Sequence, residues 1–290
     1  MAIEKQSPCK VNLILNILGK RPDGFHELET VMHPVPLHDC LTLERQGAGI
    51  QLSCSDASLP VDSSNLVWRA AKRFLETAGI QEGVSIRLEK KIPVAAGLGG
   101  GSGNAATTLL GLNELFGYPL QLAQLHEIAA SLGSDIPFFL QNKPAIGIGR
   151  GEQIESLDPF PALSGVYILL VHPGFGISTA WAYQSLKNFP EALNGRPGRA
   201  QRLVQLLQET DLQTAAAEFY NSLEAPALKK YPLLALFQEF FRGQGAVTLM
   251  SGSGSTTFAL VHGETAATQL QQAFTEKFGD RFWTAVLSLQ

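Results

Sequence analysis

A chain of 290 residues, 45% hydrophobic and 17% charged, carries enough apolar material for a real core and is unlike a disordered protein. Its length suits one large domain or two ordinary ones. A net charge of −4 gives no electrostatic footprint for nucleic acid, so any bound phosphate has to be held by local geometry.

The opening residues, MAIEKQSPCK, hold no apolar signal core, and no apolar run approaches the ~20 residues that span a bilayer. Cys9, Cys40 and Cys54 are widely spaced and odd in number, which supports neither a disulfide framework nor a zinc site. The expectation is a cytoplasmic protein with reduced thiols, no membrane partner and no metal-ligating cluster of its own.

Residues 10–19 (KVNLILNILG) alternate like a strand, and Lys20-Arg21-Pro22-Asp23-Gly24 carries turn signals. Extended structure resumes at Phe25-His26-Glu27-Leu28, and a further strand is expected at 40–44. Residues 62–79 read as a helix: Ser63 or Ser64 caps it, Leu66, Ala70, Phe74 and Leu75 line one face, and Gly79 stops it. Residues 84–89 alternate as a half-buried strand leading into a proline and a glycine loop.

That loop dominates the chain. Residues 92–113 read IPVAAGLGGGSGNAATTLLGLN, with Gly97, Gly99, Gly100, Gly101 and Gly103 inside seven positions and a helical spacing from Ala105 through Leu109, Leu110, Leu112 and Leu115. A helix start carries unpaired N–H donors and partial positive charge, so a glycine loop feeding one can bind phosphate. No lysine follows in Walker fashion, and Ser102 or Asn104 falls where a dinucleotide fingerprint needs its third glycine. The competing reading is a connector that lets a helix pack closely on a sheet.

A second helix holds Leu122, Leu125, Ile128, Ala129 and Leu132, ended by Gly133. Two prolines in LDPFP, 157–161, predict a break that divides the chain into domains 1–158 and 159–290. Residues 166–171 then read as a buried strand and 188–199 as a loop. Helices follow, then a strand at 247–250, the SGSGS loop at 251–255, a strand at 257–261, a helix and a last strand at 283–287. The first half predicts an α+β fold, and the order of the second half predicts a split βαβ sandwich.

Few single residues declare a chemistry. On spacing alone, Lys10 is a lysine whose stem packs while its head reaches water, and Asp135 is a helix N-cap ahead of Pro137. His26 and His172 are isolated. Lys90 and Lys91 are either solvated strand-end charges or nucleotide contacts.

Taken together, the motifs resemble those of the GHMP kinases, the superfamily of galactokinase, homoserine, mevalonate and phosphomevalonate kinases. Within it the match is closest to the 4-diphosphocytidyl-2-C-methyl-D-erythritol kinases of non-mevalonate isoprenoid synthesis. SPCKVNLILNILGKRPDGFHELETV looks like the first family motif and IPVAAGLGGGSGNAAT like the phosphate loop. LGSDIPFFL, AIGIGRGEQIE, HPGFGISTAWAY and MSGSGSTTFAL follow in the expected order, so the resemblance spans nearly the whole chain. Cys9 stands where the family carries alanine, Phe25 where it carries tyrosine, and Gly103 where a second serine is usual.

The resemblance implies a two-domain fold, ribosomal protein S5 domain 2-like in its first domain and ferredoxin-like in its second. It implies phosphorylation of the 2-hydroxyl of a cytidine-containing sugar alcohol with ATP and Mg²⁺, by a monomer or homodimer. Asp135 matches the base that accepts the hydroxyl proton, and Lys10 the cation that keeps that base ionised and steadies the transferring phosphoryl group. Pro93, Val94, Ala95, Ala96, Gly97, Leu98, Gly99, Gly100, Gly101, Ser102, Gly103 and Asn104 match the phosphate cradle, with Ser102 a contact to Mg²⁺-ATP. Asn65 and Lys90 match positions near the base of ATP. His26 matches a hydrogen-bonding partner of cytosine, Phe25 and Tyr183 its stacking partners, and Asn12 and Thr179 residues near the sugar-alcohol diphosphate. A homoserine- or mevalonate-type kinase, or a non-catalytic binding protein on the same fold, are the competing readings.

Overall fold

The computed structural model describes residues 2–289, which pack as two compact units that interleave along the sequence. The first takes the residues up to Cys9, Leu37–Pro93 and Gly99–Asn142; the second takes Lys10–Pro36, Val94–Leu98 and everything from Lys143 onward. Two long strands, β1 (Ala2–Lys20) and β2 (His26–Gln46), run through both, joined by the turn expected at the Pro-Asp-Gly sequence.

In the first unit β3 (Ile50–Cys54) precedes helix α1 (Leu66–Ala78), β4 (Gly83–Glu89), α2 (Gly100–Leu115) and α3 (Leu122–Leu132). The strand order is β3-β4-β2-β1, with β4 antiparallel to β2 and parallel to β3. Helix α1 buries Val67, Ala70, Ala71, Phe74 and Leu75, and Gly79 ends it in the left-handed region at φ +66°. Its cap is Asn65, not Ser63 or Ser64: the Asn65 side chain accepts from Val67 N at 2.9 Å, while Ser64 is drawn into a turn by Asp62. Helices α1, α2 and α3 pack on one another. α2 starts at Gly100, five residues before the first alanine of the expected helix.

The second unit continues with β5 (Ala145–Ile148) and β6 (Gln153–Ser156), a hairpin whose first strand pairs with Thr30, Val31 and Met32 of β2. The prolines of 157–161 lead into a 3₁₀ turn at Pro161–Leu163 inside this unit. Then come β7 (Val166–His172), α4 (Thr179–Ser185), α5 (Pro190–Leu193), α6 (Arg199–Glu209), α7 (Leu212–Ala215), β8 (Tyr220–Asn221), α8 (Glu224–Lys230), α9 (Pro232–Gly243), β9 (Val247–Met250), β10 (Thr257–His262), α10 (Glu264–Phe278) and β11 (Trp283–Ser288). The loop expected at 188–199 thus contains the short α5, opened by Pro190.

The sheet order β11-β7-β10-β9, antiparallel throughout, is the split βαβ arrangement read from the element order. Helices α9 and α10 cover it, and their Phe237, Phe241 and Phe274 are fully buried. Edge-on packing of Phe237 on Phe274 at 4.9 Å anchors that core. Short β8 runs parallel to β1, setting Leu15 opposite Asn221. No helix among the described residues is long and apolar enough to cross a membrane.

Candidate active site

Strand alternation puts Lys10 and Asn12 on the same face of β1, and the second unit brings Val94–Leu98 to that face. Lys10 is 3% exposed, so its head does not reach water as spacing alone suggested. Its Nζ donates to Asn12 Oδ1 at 2.6 Å and to the Gly97 carbonyl at 3.3 Å, and its backbone N–H donates to Leu98 O at 2.9 Å. Asn12 is fixed in turn: its Nδ2 donates to Thr30 Oγ1 at 2.8 Å, and that hydroxyl donates to Ile14 O. An ammonium can only donate, so this relay turns the amide oxygen towards Lys10.

Gly97 is the hub of this unit's half of the loop. It sits at φ +77°, and a Cβ there would collide with the carbonyl oxygen of Ser251, so the serine–glycine loop at 251–255 rests directly on its backbone. Ser251 Oγ donates to Gly97 O at 3.0 Å, and Thr256 N donates to Ala96 O at 3.1 Å. The hydroxyls of Thr179 and Ser253 are 2.9 Å apart. Pro93 is half-buried, Val94 and Ala95 are exposed, and Ala96 and Leu98 are buried. Lys10, Asn12, Gly97 and the SGSGS loop thus form one network, with Thr179 bonded to that loop.

The proposed cytosine group also lies in the second unit. The His26 and Tyr183 rings are 5.1 Å apart and inclined at 41°. Burial, helped by the charge of Lys20, holds His26 below the ordinary imidazole pKa, so it is neutral at pH 7 with one donor and one acceptor nitrogen. Phe25 is 51% exposed, and the Arg150 guanidinium lies over its ring at 4.6 Å. Arg150 belongs to the AIGIGRGEQIE motif, but nothing in its spacing marked it.

The rest of the loop belongs to the first unit. Gly99, at φ +70°, is the N-cap of α2, and Gly103 N donates to Gly99 O at 2.8 Å. The first-turn N–H groups of Gly100, Gly101 and Ser102 therefore have no intrahelical acceptor, whereas that of Gly103 is spent. This narrows the set of cradle donors expected over 97–104. Gly103 also accounts for its departure from serine: a Cβ there would stand 2.5 Å from Pro8 O.

Asn104 and Lys90 face a buried carboxylate. Lys90 pairs with Asp39, their side chains 7% and 0% exposed, and also donates to Asn104 Oδ1 at 3.1 Å. Asn104 Nδ2 reaches Asp39 Oδ2 at 2.9 Å and Ser7 Oγ at 3.0 Å. The N–H groups of Lys91 and Ile92 complete the shell at Asp39 Oδ1. Lys90 is thus no solvated strand-end charge, and Asp39 had no motif to announce it. Asn65, besides capping α1, donates from Nδ2 to Pro60 O at 2.7 Å. Asp135 is half-buried in the turn after α3; the N-cap of the following 3₁₀ turn is Ile136, so Asp135 is not the cap that spacing suggested.

Among the described residues no three His, Cys, Asp or Glu side chains form a metal cage. The half-buried Ser102 hydroxyl at the start of α2 is an oxygen of the kind a hard divalent ion on a phosphate chain would take.

Residues 65–143 match the model of the GHMP kinases N terminal domain, and residues 189–280 that of the GHMP kinases C terminal domain. A 4-diphosphocytidyl-2-C-methyl-D-erythritol kinase of Pelotomaculum thermopropionicum is 44% identical over 262 residues, covering 90% of this chain and 89% of the relative. A crystal structure of a 4-(cytidine 5'-diphospho)-2C-methyl-D-erythritol kinase superposes with a TM-score of 0.77 at 34% identity, covering 99% of both chains. Homoserine kinase from Cytophaga hutchinsonii superposes at 0.75 with 21% identity, over 98% of this chain and 93% of that one, a likeness of fold.

Proposed function

This chain belongs to the GHMP kinase family, a small-molecule kinase that uses ATP, and from that premise we propose that its acceptor is 4-diphosphocytidyl-2-C-methyl-D-erythritol. The γ-phosphoryl group of ATP passes to the 2-hydroxyl, giving ADP and the 2-phosphate. Asp135 accepts the hydroxyl proton. Lys10 neutralises charge on the phosphoryl oxygens and holds Asp135 ionised. Phosphoryl transfer demands positioning and charge neutralisation more than covalent chemistry, and a fixed ammonium beside a phosphate loop meets that demand.

The observation that carries this reading is the Lys10 ammonium, buried and aimed by Asn12 and Gly97 at the turn of the glycine loop. The N–H groups of Gly100, Gly101 and Ser102 receive phosphate oxygens at the positive end of α2. Ser102 would hold Mg²⁺ together with those phosphates, and the ion would supply charge neutralisation there. Neutral His26 reads the cytosine edge with Tyr183 and Phe25 against its faces, and Asn12 and Thr179 border the diphosphate. Asn65 and Lys90 shape the nucleotide-base end, and Lys90 acts there through Asp39 and Asn104. Residues 1–158 carry the ATP-binding domain and 159–290 the second domain, and the enzyme works in the cytoplasm as a monomer or homodimer.

A coupled ADP-release assay with ATP and Mg²⁺ compares this acceptor with homoserine and mevalonate. Turnover on the cytidine compound alone is expected. Turnover on another alcohol would discard the cytosine role of His26 and keep the kinase chemistry; silence on all three would favour a binding protein.

A further inference from the structure

Asn221, on the short strand β8, is 2% exposed and spends its whole side chain on neighbouring backbone. One Nδ2 donates to two carbonyls, Met250 O at 2.7 Å and Gly252 O at 2.8 Å, and Oδ1 accepts from Leu223 N at 2.9 Å. Met250 and Gly252 flank Ser251, whose hydroxyl bonds the Gly97 carbonyl that Lys10 also reaches. Gly252 itself borders the ammonium: a Cβ there would lie 3.3 Å from Lys10 Nζ and 3.4 Å from Asn12 Oδ1. A single amide thus ties down both sides of the turn that backs the catalytic lysine.

A further contact holds the same turn. Met250 N donates to Glu224 Oε1 at 2.7 Å, and Glu224 is itself bonded by Gln238, which Arg242 Nη2 reaches at 2.9 Å. On its other side β8 is bound to the strand bearing Lys10: Ser222 N donates to Leu15 O at 2.8 Å, and Ile17 N donates to Ser222 Oγ at 3.0 Å. Asn221 therefore joins β1 to the 250–252 turn from within one unit.

We propose that Asn221 is a positioning residue for the transfer step, holding Ser251 and Gly252 against Gly97 so that the Lys10 ammonium is presented at a fixed height to the phosphates. It touches no reacting atom; it acts through Gly97 and Lys10, and the inference rests on the role given to Lys10 above. An amide is needed because two carbonyl oxygens must be met by two donor hydrogens on one short side chain. An ionised carboxylate would face those carbonyls with no hydrogen to offer, and an aliphatic side chain would leave both unpaired.

The test uses the full chain labelled with ¹³C at lysine Cε, the Lys10 signal being identified by its loss in Lys10→Met. Asn221→Leu is expected to shift the Lys10 resonance and to lower kcat by about tenfold or more while changing the KM for ATP far less. Leu270→Ala, a cavity variant in the core of the same unit chosen for an equal fall in Tm, is expected to leave the resonance and kcat in place. Asn221→Asp is expected to recover activity relative to wild type as pH falls, because its protonated acid regains one donor; it also covers the case in which Asn221→Leu does not fold. An unmoved Lys10 signal with unchanged kcat, or losses that Leu270→Ala reproduces, or a flat relative pH profile in Asn221→Asp, would overturn the proposal. Wild-type silence on the cytidine acceptor would sink the substrate reading instead, and the lysine resonance judges Asn221 without any acceptor present.

Discussion

Each unit buries a lysine, and each is gripped by a different set of segments. In the first, Lys90 lies against the Asp39 carboxylate, with Asn104 and the N–H groups of Lys91 and Ile92 completing the shell. In the second, Lys10 donates to an amide oxygen and a peptide carbonyl. Asp39 neutralises the charge it meets; Asn12 and Gly97 aim theirs. A buried ion pair is retained as a unit because removing either partner strands the other charge. An ammonium held in one place by fixed oxygens has little reorganising to do when an anionic phosphoryl group approaches it.

The comparison breaks first, if it breaks, at the reaction. Asp135→Asn is expected to fold normally and to lose turnover on the order of 10³-fold, the scale of a removed general base. Lys10→Ala should lower kcat on the order of 10²-fold or more with less effect on ATP affinity. Steady-state kinetics with ATP varied check both; weaker nucleotide binding at an unchanged rate would contradict the role given to Lys10.

Lys90→Met should show the opposite balance. Leaving Asp39 without its cation is expected to cost about 3–5 kcal/mol of stability, read from urea unfolding. A stability loss below about 1 kcal/mol in Lys90→Met would refute the reading of Lys90 and Asp39 as a buried pair.

His33 sharpens the contrast from a third direction, since burial removes its charge instead of pairing it. The ring is 3% exposed, its Nδ1–H donates to Pro34 O at 2.8 Å, and burial pushes its pKa from the ordinary 6.5 down to about 4. The unfolded chain binds the proton more readily, so the contribution is complete above pH 6.5 and is lost as pH falls towards 4. The loss is about 3 kcal/mol over that window. Urea midpoints measured from pH 7 to 4 should fall more steeply in wild type than in His33→Gln, and parallel curves would refute the assignment.

The smallest effect is expected at Phe25→Tyr. That ring is half-exposed and keeps its face to Arg150 either way, so the KM for the cytidine acceptor should move within about twofold. A much larger change would mean that the missing hydroxyl matters to recognition.

Much of this was legible in the sequence where local chemistry and fold agree. Gly79 ended α1, the Pro-Asp-Gly turn separated β1 from β2, and β7, β9, β10 and β11 lie where strands were expected. The failures have physical causes. α2 begins inside the glycine run because close packing on Pro8 and Ile92 outweighs glycine's poor helix propensity. β1 and β2 extend far beyond the alternating stretches, through Pro8, Pro34 and Pro36, because sheet partners decide strand length more than propensity does. β3 and the two-residue β8 were missed for being short. Lys10 and Asp135 stood out through the family motifs. Asp39, Arg150 and Asn221 did not, since each acquires its meaning from a segment tens of residues away.

The interleaving of the units has a consequence for how the polypeptide is made. All segments of the first unit have been synthesised once Asn142 appears, whereas Lys10–Pro36 must wait for Lys143 and beyond. Until β8 arrives, the edge of β1 at Ile14 and Leu15 has no parallel partner, and the Leu15 carbonyl awaits Ser222. A polypeptide released after residue 158 would therefore carry an open strand edge, a natural template for association with other chains. Two separately expressed halves would have to find each other through that edge before either could be whole.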